Sequence, residues 1–217
     1  METSTSSFVS TDRTRLHRRP QRAVYDKAQV HAILDEGYVC HVAFALNGRP
    51  YVIPTAYGRD GDTVYVHGSA VSRIVRESAG DGLEICFTVT VLDALVLARA
   101  SAHSSFNYRS VVAYGKLRLI TDLGEKSHAL RCFTNHVARG RWEQSRPPTE
   151  KELKATGVLA LRLEEVSAKV RTGPPIDDEE DYALPVWGGV VPVLQSFGLP
   201  VWDGKGDVSV AAPRVIR

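Results

Sequence analysis

A succession of short β-prone runs, each closed by a tight-turn signal, constrains this chain more than any other feature. Tyr38-Val39-Cys40-His41-Val42-Ala43-Phe44 is rich in β-branched and aromatic residues and ends near Asn47-Gly48. Such a dipeptide between alternating apolar residues is the strongest local sign of a hairpin. Tyr51 to Tyr57 follows and closes at Arg59-Asp60-Gly61-Asp62, and Thr63 to His67 leads into Gly68-Ser69. Leu83 to Val91, Ala94 to Ala100, Tyr108 to Ile120 and Leu159 to Val170 read as further strands. Helical spacing is confined to Asp26 through Gly37, Ser72 to Ala79, and Leu123 to Arg139. Six or seven strands joined by tight turns, with only short helices, predict a mainly β fold: a closed antiparallel barrel.

The size suits one such domain with extensions, because 217 residues can bury roughly 70% of the unfolded surface. Neither a disulfide nor a structural metal is needed at that size. Cys40, Cys86 and Cys132 are far apart and show no CxxC spacing, so they read as small apolar residues in a reducing cytoplasm. The 27 Lys+Arg nearly balance 25 Asp+Glu, which argues against an obligate nucleic-acid binder. Arg13, Arg15, Arg18, Arg19 and Arg22 concentrate basic charge in a polar leader, 1–21, read as a solvated strap rather than a polyanion site. No apolar run follows Met1 or Arg18-Arg19, so no signal peptide is expected. Tyr182 to Trp202 is long enough for a bilayer but contains Pro185, Pro192 and Pro200, which break a membrane helix. The expected organisation is the flexible leader, a barrel over 22–172, and an arm over 173–217 that packs on the barrel or a partner, with Trp187 as an anchor.

Three stretches could carry chemistry. In Val66-His67-Gly68-Ser69-Ala70-Val71-Ser72-Arg73 a strand ends, glycine permits a turn, serines can cap, and a helix starts. That arrangement suits a phosphate, with Arg73 as a charged fork; an ordinary capped helix with a surface arginine would look the same. His103-Ser104-Ser105-Phe106-Asn107-Tyr108-Arg109-Ser110 collects polar donors at a strand entry. It suits a polar ligand or a loop satisfying its own backbone. Pro54-Thr55 inside a strand marks a sheet edge, since proline cannot donate to a ladder; the exposed backbone could serve a flat heterocycle. His128, Cys132 and His136 lie at i, i+4 and i+8 of a helix, but no acidic or fourth ligand is identifiable. No metal is expected there. No GxSxG elbow occurs, so a hydrolase triad has no support either.

Taken in order, these pieces resemble the FMN-binding split-barrel proteins of the pyridoxamine 5′-phosphate oxidase type, most closely the branch of the nitroimidazole-resistance reductases. The resemblance rests on Thr11-Asp12-Arg13-Thr14-Arg15, Ile33-Leu34-Asp35, Cys40-His41-Val42, Pro50 to Tyr57, Asp62 to Arg73, His103-Ser104, Asn107 to Val112, and Asp181 to Trp187. It implies a six-stranded antiparallel split barrel and a cytoplasmic homodimer with FMN at the interface. It implies an oxidoreductase acting on a small substrate, with a nicotinamide as electron donor; a non-catalytic flavin carrier, or a barrel using F420 or haem, is the alternative. The strand Val52–Tyr57 would run along the flavin ring, with Pro54, Thr55, Ala56, Tyr57 and Thr88 beside it. His67, Gly68, Ser69, Ser72 and Arg73 would hold the phosphate. Tyr108 and Arg109 would approach the cofactor, and His67 matches the histidine implicated in the reductases' chemistry. The arginine-rich substrate motif of the vitamin-forming oxidase is not found in Val201 to Arg217, which argues against pyridoxamine phosphate as substrate.

Overall fold

The computed structural model describes residues 6–206; the first residues of the leader and the end of the arm, 207–217, lie outside them. In chain order the elements are β1 (Ala23–Val24), α1 (Lys27–Glu36), β2 (Val39–Leu46), β3 (Arg49–Ala56), β4 (Gly58–Asp60), β5 (Thr63–Ser69) and α2 (Arg73–Glu77). They continue with β6 (Leu83–Leu97), β7 (Ser105–Ile120), α3 (Leu123–Val137), α4 (Glu150–Ala155), β8 (Thr156–Arg162), β9 (Glu165–Arg171) and β10 (Gly189–Pro192). The strands pair in the order β3-β2-β6-β7-β8-β5-β4, with β10 on β6, β9 on β7 and β1 on β9. The expectation of a mainly β, antiparallel architecture with short helices is met.

Two compact units share these strands: Met1–Pro54, Ile85–Gly115 and Leu163–Leu194 form one, and Thr55–Glu84, Lys116–Arg162 and Gln195–Arg217 form the other. In the first unit, Asp26 caps α1 by accepting a hydrogen bond from the Gln29 N–H at 2.9 Å, the expected role of an aspartate at that position. Val30, Ile33 and Leu34 bury its inner face. β2 alternates as its sequence predicts, with Cys40, Val42 and Phe44 buried. Asn47 and Gly48 both take positive φ, 51° and 73°, which matches the right-handed twist of the flanking strands. The described part of the leader is docked: Ser7 bridges to Asp26, Phe8 and Thr14 are buried, and Arg13 pairs with Glu165 at 3.2 Å.

In the second unit, β8 lies between β5 and β7 and is buried from Gly157 to Leu161. Tyr65, Val158, Ala160 and Ile120 pack there against Ala129 of α3. Each large apolar side chain so buried contributes roughly 1.5–3 kcal/mol. Two glycines set how closely the helices approach. A Cβ on Gly58 would stand 2.4 Å from the Phe133 backbone nitrogen, and one on Gly157 would stand 2.5 Å from Val75. Only glycine lets α3 and α2 sit where they do.

The sequence reading differs from the structure at several places, among them β10, which forms within the expected arm. Leu83 to Ala100 is one strand through Leu97, not two. The polar Asp93 does not break it, because β10 pairs with Ala94 to Leu97 and Arg109 neutralises the carboxylate. Leu159 to Val170 is two strands, β8 paired with β5 and β9 paired with β7. Gly58 to Asp60 hairpins onto β5 instead of forming only a turn. The helix α4 carries a capping box from Thr149 to Glu152, a signal present in the sequence that hydrophobic periodicity did not reveal. Among the described residues no helix is long and apolar enough to cross a membrane.

Candidate functional site

The second unit holds the turn His67–Arg73 together with Thr55, Ala56 and Tyr57. β5 delivers His67 and Gly68 to the end of the sheet, where they pair with Val158 and Gly157. The turn is closed by the Ser72 N–H donating to the Ser69 carbonyl at 2.9 Å and the Ala70 N–H to Ala155 at 3.1 Å. Ser72 occupies the N-cap position of α2, yet its hydroxyl makes no capping bond. Its Oγ is buried without a hydrogen-bond partner, as is His67 Nδ1. Gly68 separates the two residues, and a Cβ there would lie 3.6 Å from the Ser72 Oγ.

Leaving a buried polar atom unpaired costs roughly 1–3 kcal/mol, so two in one turn are a feature needing an explanation. The His67 ring stands edge-on to Phe133 of α3, centroids 4.2 Å apart. Burial lowers its pKa below the ordinary value of 6.5, so the imidazole is neutral at neutral pH, one nitrogen carrying hydrogen and the other a lone pair. Ser69 and Arg73 are exposed beside it. The turn therefore offers hydroxyls, a neutral imidazole and a guanidinium in one short segment. α2 has only five residues, so its dipole adds little to what these side chains offer.

β3 ends the strand order, as the proline within it predicts. The Thr55 hydroxyl donates to the Ala56 carbonyl at 3.2 Å. Tyr57 is fully buried, its ring 4.6 Å from that of His136. Sequence reasoning missed Phe133 and the contact of His136 with Tyr57, because both helix residues lie far along the chain from the residues they cover. Gly58, a glycine in a β-prone run, was the one available signal of that close approach.

Pro54, Thr88, Tyr108 and Arg109 belong to the first unit. Thr88 donates to the Val111 carbonyl at 3.0 Å. Tyr108 sits on β7 opposite Arg171. The Arg109 guanidinium is gripped by Glu36 and by Asp93, the latter at 2.6 Å. Hydrogen bonds to Glu36, then to Asp93, raise its already high pKa further. Nearby, Asn107 donates to Gly173 at 3.1 Å and accepts from the buried Arg171. Asp177 accepts from the Arg99 N–H at 2.9 Å and from its guanidinium at 3.2 Å. Burial pushes the Asp177 carboxyl up, but the Ala100 and Arg99 donors outweigh it, and its pKa is lowered. His103 faces the same carboxylate, Nδ1 at 4.0 Å.

The profile of the pyridoxamine 5′-phosphate oxidase family matches residues 26–170, most of the chain. The chain belongs to that family. Among solved structures, flavocytochrome Anf3 from Azotobacter vinelandii is similar with 43% identity over 94% of each chain and a TM-score of 0.87. The FAD and heme binding protein from Mycobacterium smegmatis is similar with 33% identity over 89% of this chain and 95% of its own, TM-score 0.84. A 5-nitroimidazole antibiotic resistance protein from Bacteroides thetaiotaomicron shares the fold at 22% identity over 68% and 86%, TM-score 0.57. No curated protein matches the chain. The fold is thus the flavin-binding split barrel of this family, as the ordered motifs imply.

Proposed function

We propose that the protein is a flavin-dependent oxidoreductase that holds the FMN unit, either as FMN or as the corresponding part of FAD, by its His67–Arg73 turn. The observation that carries this reading is the pair of buried, unpartnered atoms, His67 Nδ1 and Ser72 Oγ, flanking Gly68. A phosphate supplies acceptors for both, and Ser69 and Arg73 add a hydroxyl and a cation. Thr55 and the edge of β3 offer donors and acceptors to the ring. A bound flavin supplies hydride and single-electron transfer. His67, neutral at working pH and giving its Nδ1 hydrogen to the phosphate, would orient a substrate or accept a proton at its other ring nitrogen, Nε2. Thr88 and Tyr108 remain in the proposed ring site. Arg109, held by two carboxylates, serves there by fixing β7 beside β6. A small-molecule substrate and a nicotinamide donor complete the reaction. Cys40, Cys86 and Cys132, none of them in a disulfide, support a cytoplasmic setting.

The test is an absorbance spectrum of the purified protein, followed by heat release and mass identification of the chromophore. A flavin is expected, reduced by a nicotinamide donor and reoxidised by substrate. Colourless protein that takes up neither FMN nor FAD would sink the reading. Flavin without turnover would make it a carrier. We also propose a homodimer, supported by exposed Val39, Leu92, Leu97 and Trp187 on the first unit. Light scattering at the mass of a single chain would remove that part.

A haem beside the flavin is the second reading, suggested by the flavocytochrome and the FAD and heme binding protein described above. His103 favours it: its Nδ1 faces the Asp177 carboxylate, and histidine ligands commonly give their second ring nitrogen to such a partner. Protein produced with ample haem should then show a Soret band. His103→Ala should lose that band and keep the flavin; an unchanged band would exclude His103 as the ligand.

A further inference from the structure

The second unit carries another cluster, between the β4–β5 hairpin and α3. His128 and Cys132 stand one turn apart on α3, on a common face. Asp60, the last residue of β4, meets them from the hairpin with β5. The His128 Nε2 lies 2.9 Å from Asp60 Oδ2 and 3.5 Å from Cys132 Sγ. All three donor atoms fall within 4.8 Å of one another. The fold thus supplies the acidic partner that the helix alone lacked, while His136 turns instead to Tyr57.

The convergence is chemically specific. A histidine Nε2 carries at most one hydrogen, yet an oxygen and a sulfur both crowd it, so one hydrogen bond cannot satisfy the group. A shared cation can. Zinc bonds of about 2.0–2.1 Å to nitrogen and oxygen and about 2.3 Å to sulfur give tetrahedral edges of about 3.3 Å for N···O and about 3.6 Å for S···N. The His128–Asp60 and His128–Cys132 separations need a movement of only a few tenths of an ångström, and the Asp60 oxygen and Cys132 sulfur already lie within 4.8 Å. Asp60 and His128 side chains are 58% and 48% exposed, so they can move and water can reach a fourth position. The mounting is firm: Gly58 presses β4 onto the Phe133 backbone, and the Tyr65 ring stands edge-on behind His128 at 6.2 Å. One thiolate, one imidazole and one carboxylate suit a borderline-soft divalent ion and disfavour Mg²⁺ or Ca²⁺, which prefer all-oxygen sets.

We propose that Asp60, His128 and Cys132 form a three-ligand zinc site with an open fourth position. Metal binding displaces the Cys132 thiol proton to solvent as the sulfur–metal bond forms. Full-length protein stripped with chelator should take up about one Zn²⁺ per chain. With Co²⁺ it should show a thiolate-to-metal charge-transfer band and the visible bands of tetrahedral coordination. Cys132→Ser should abolish the charge-transfer band, and His128→Ala should weaken uptake at least about tenfold. Asp60→Asn, at an exposed turn where refolding is not at stake, should also weaken uptake, with circular dichroism confirming the fold. Cys86→Ser should leave the band intact. Absence of a thiolate band, or uptake unchanged in the Cys132→Ser/His128→Ala double variant, would overturn the site.

Discussion

Two polar stretches attract equal attention in the sequence, His67–Arg73 and His103–Ser110, and the structure treats them oppositely. Around the second, most donors are engaged. Ser104 accepts from the Ala98 N–H, Asn107 spans Gly173 and Arg171, and Arg109 is held by Asp93 and Glu36. Around the first, His67 Nδ1 and Ser72 Oγ are buried and unpaired. Satisfied polar groups build a scaffold; the two orphaned atoms are the basis of the flavin site proposed above. His103, whose Nδ1 makes no hydrogen bond although it faces Asp177, is the exception within the satisfied region. It is also the residue offered for haem.

The comparison predicts that substitutions in the two regions separate stability from binding. The largest expected effect is on the scaffold side. Arg109→Ala leaves Asp93 and Glu36 without their cation and should cost about 2–3 kcal/mol of unfolding free energy, measured by urea titration. Flavin affinity should change far less. An Arg109→Ala protein of full stability that had lost flavin would reverse the assignment.

On the ligand side, Arg73→Ala should weaken flavin binding about tenfold to a hundredfold, which corresponds to about 1.4–2.8 kcal/mol. Fluorescence titration reads this directly, and flavin-free stability should change less than flavin affinity. Ser72→Ala should weaken binding about tenfold while holding or raising flavin-free stability, since it deletes an unpaired hydroxyl. A loss of stability there would show that the hydroxyl serves the fold.

The smallest effect is a pH dependence from His67. Burial lowers its folded pKa below the ordinary 6.5. The unfolded chain therefore takes up the proton first as pH falls. Flavin-free stability should be full above pH 6.5, decline as pH drops through that value toward the folded pKa, and then level off. His67→Phe should flatten this segment of the stability curve. A slope unchanged in that variant would assign the dependence to another group.

Much of the fold was legible because local chemistry specifies it. Asp26 and Gly37 bracket α1, Asn47-Gly48 sets the β2–β3 hairpin, and Pro54 marks β3 as an end strand. What escaped depends on neighbours. Asp93 looks like a strand break until Arg109 and β10 are in place. The paired β10 hides in a proline-broken arm whose sequence suits no regular element, and the Leu159–Val170 run does not announce that its halves pair with different strands.

The candidate sites divide in the same way. The order of β-runs and turns, with the His67–Arg73 and Pro54–Thr55 motifs among them, determined the split-barrel class and the flavin-binding family. Side-chain identity and spacing are enough for that, because turns, caps and strand periodicity act over a few residues. Only the tertiary structure decided which polar atoms are satisfied and which are left over. It placed Arg109 between Glu36 and Asp93, left His67 and Ser72 with unpaired atoms, and set Asp60 beside His128 and Cys132. A hydrogen-bond partner or a third ligand can lie anywhere along the chain, and its arrival is a property of packing, not of local sequence.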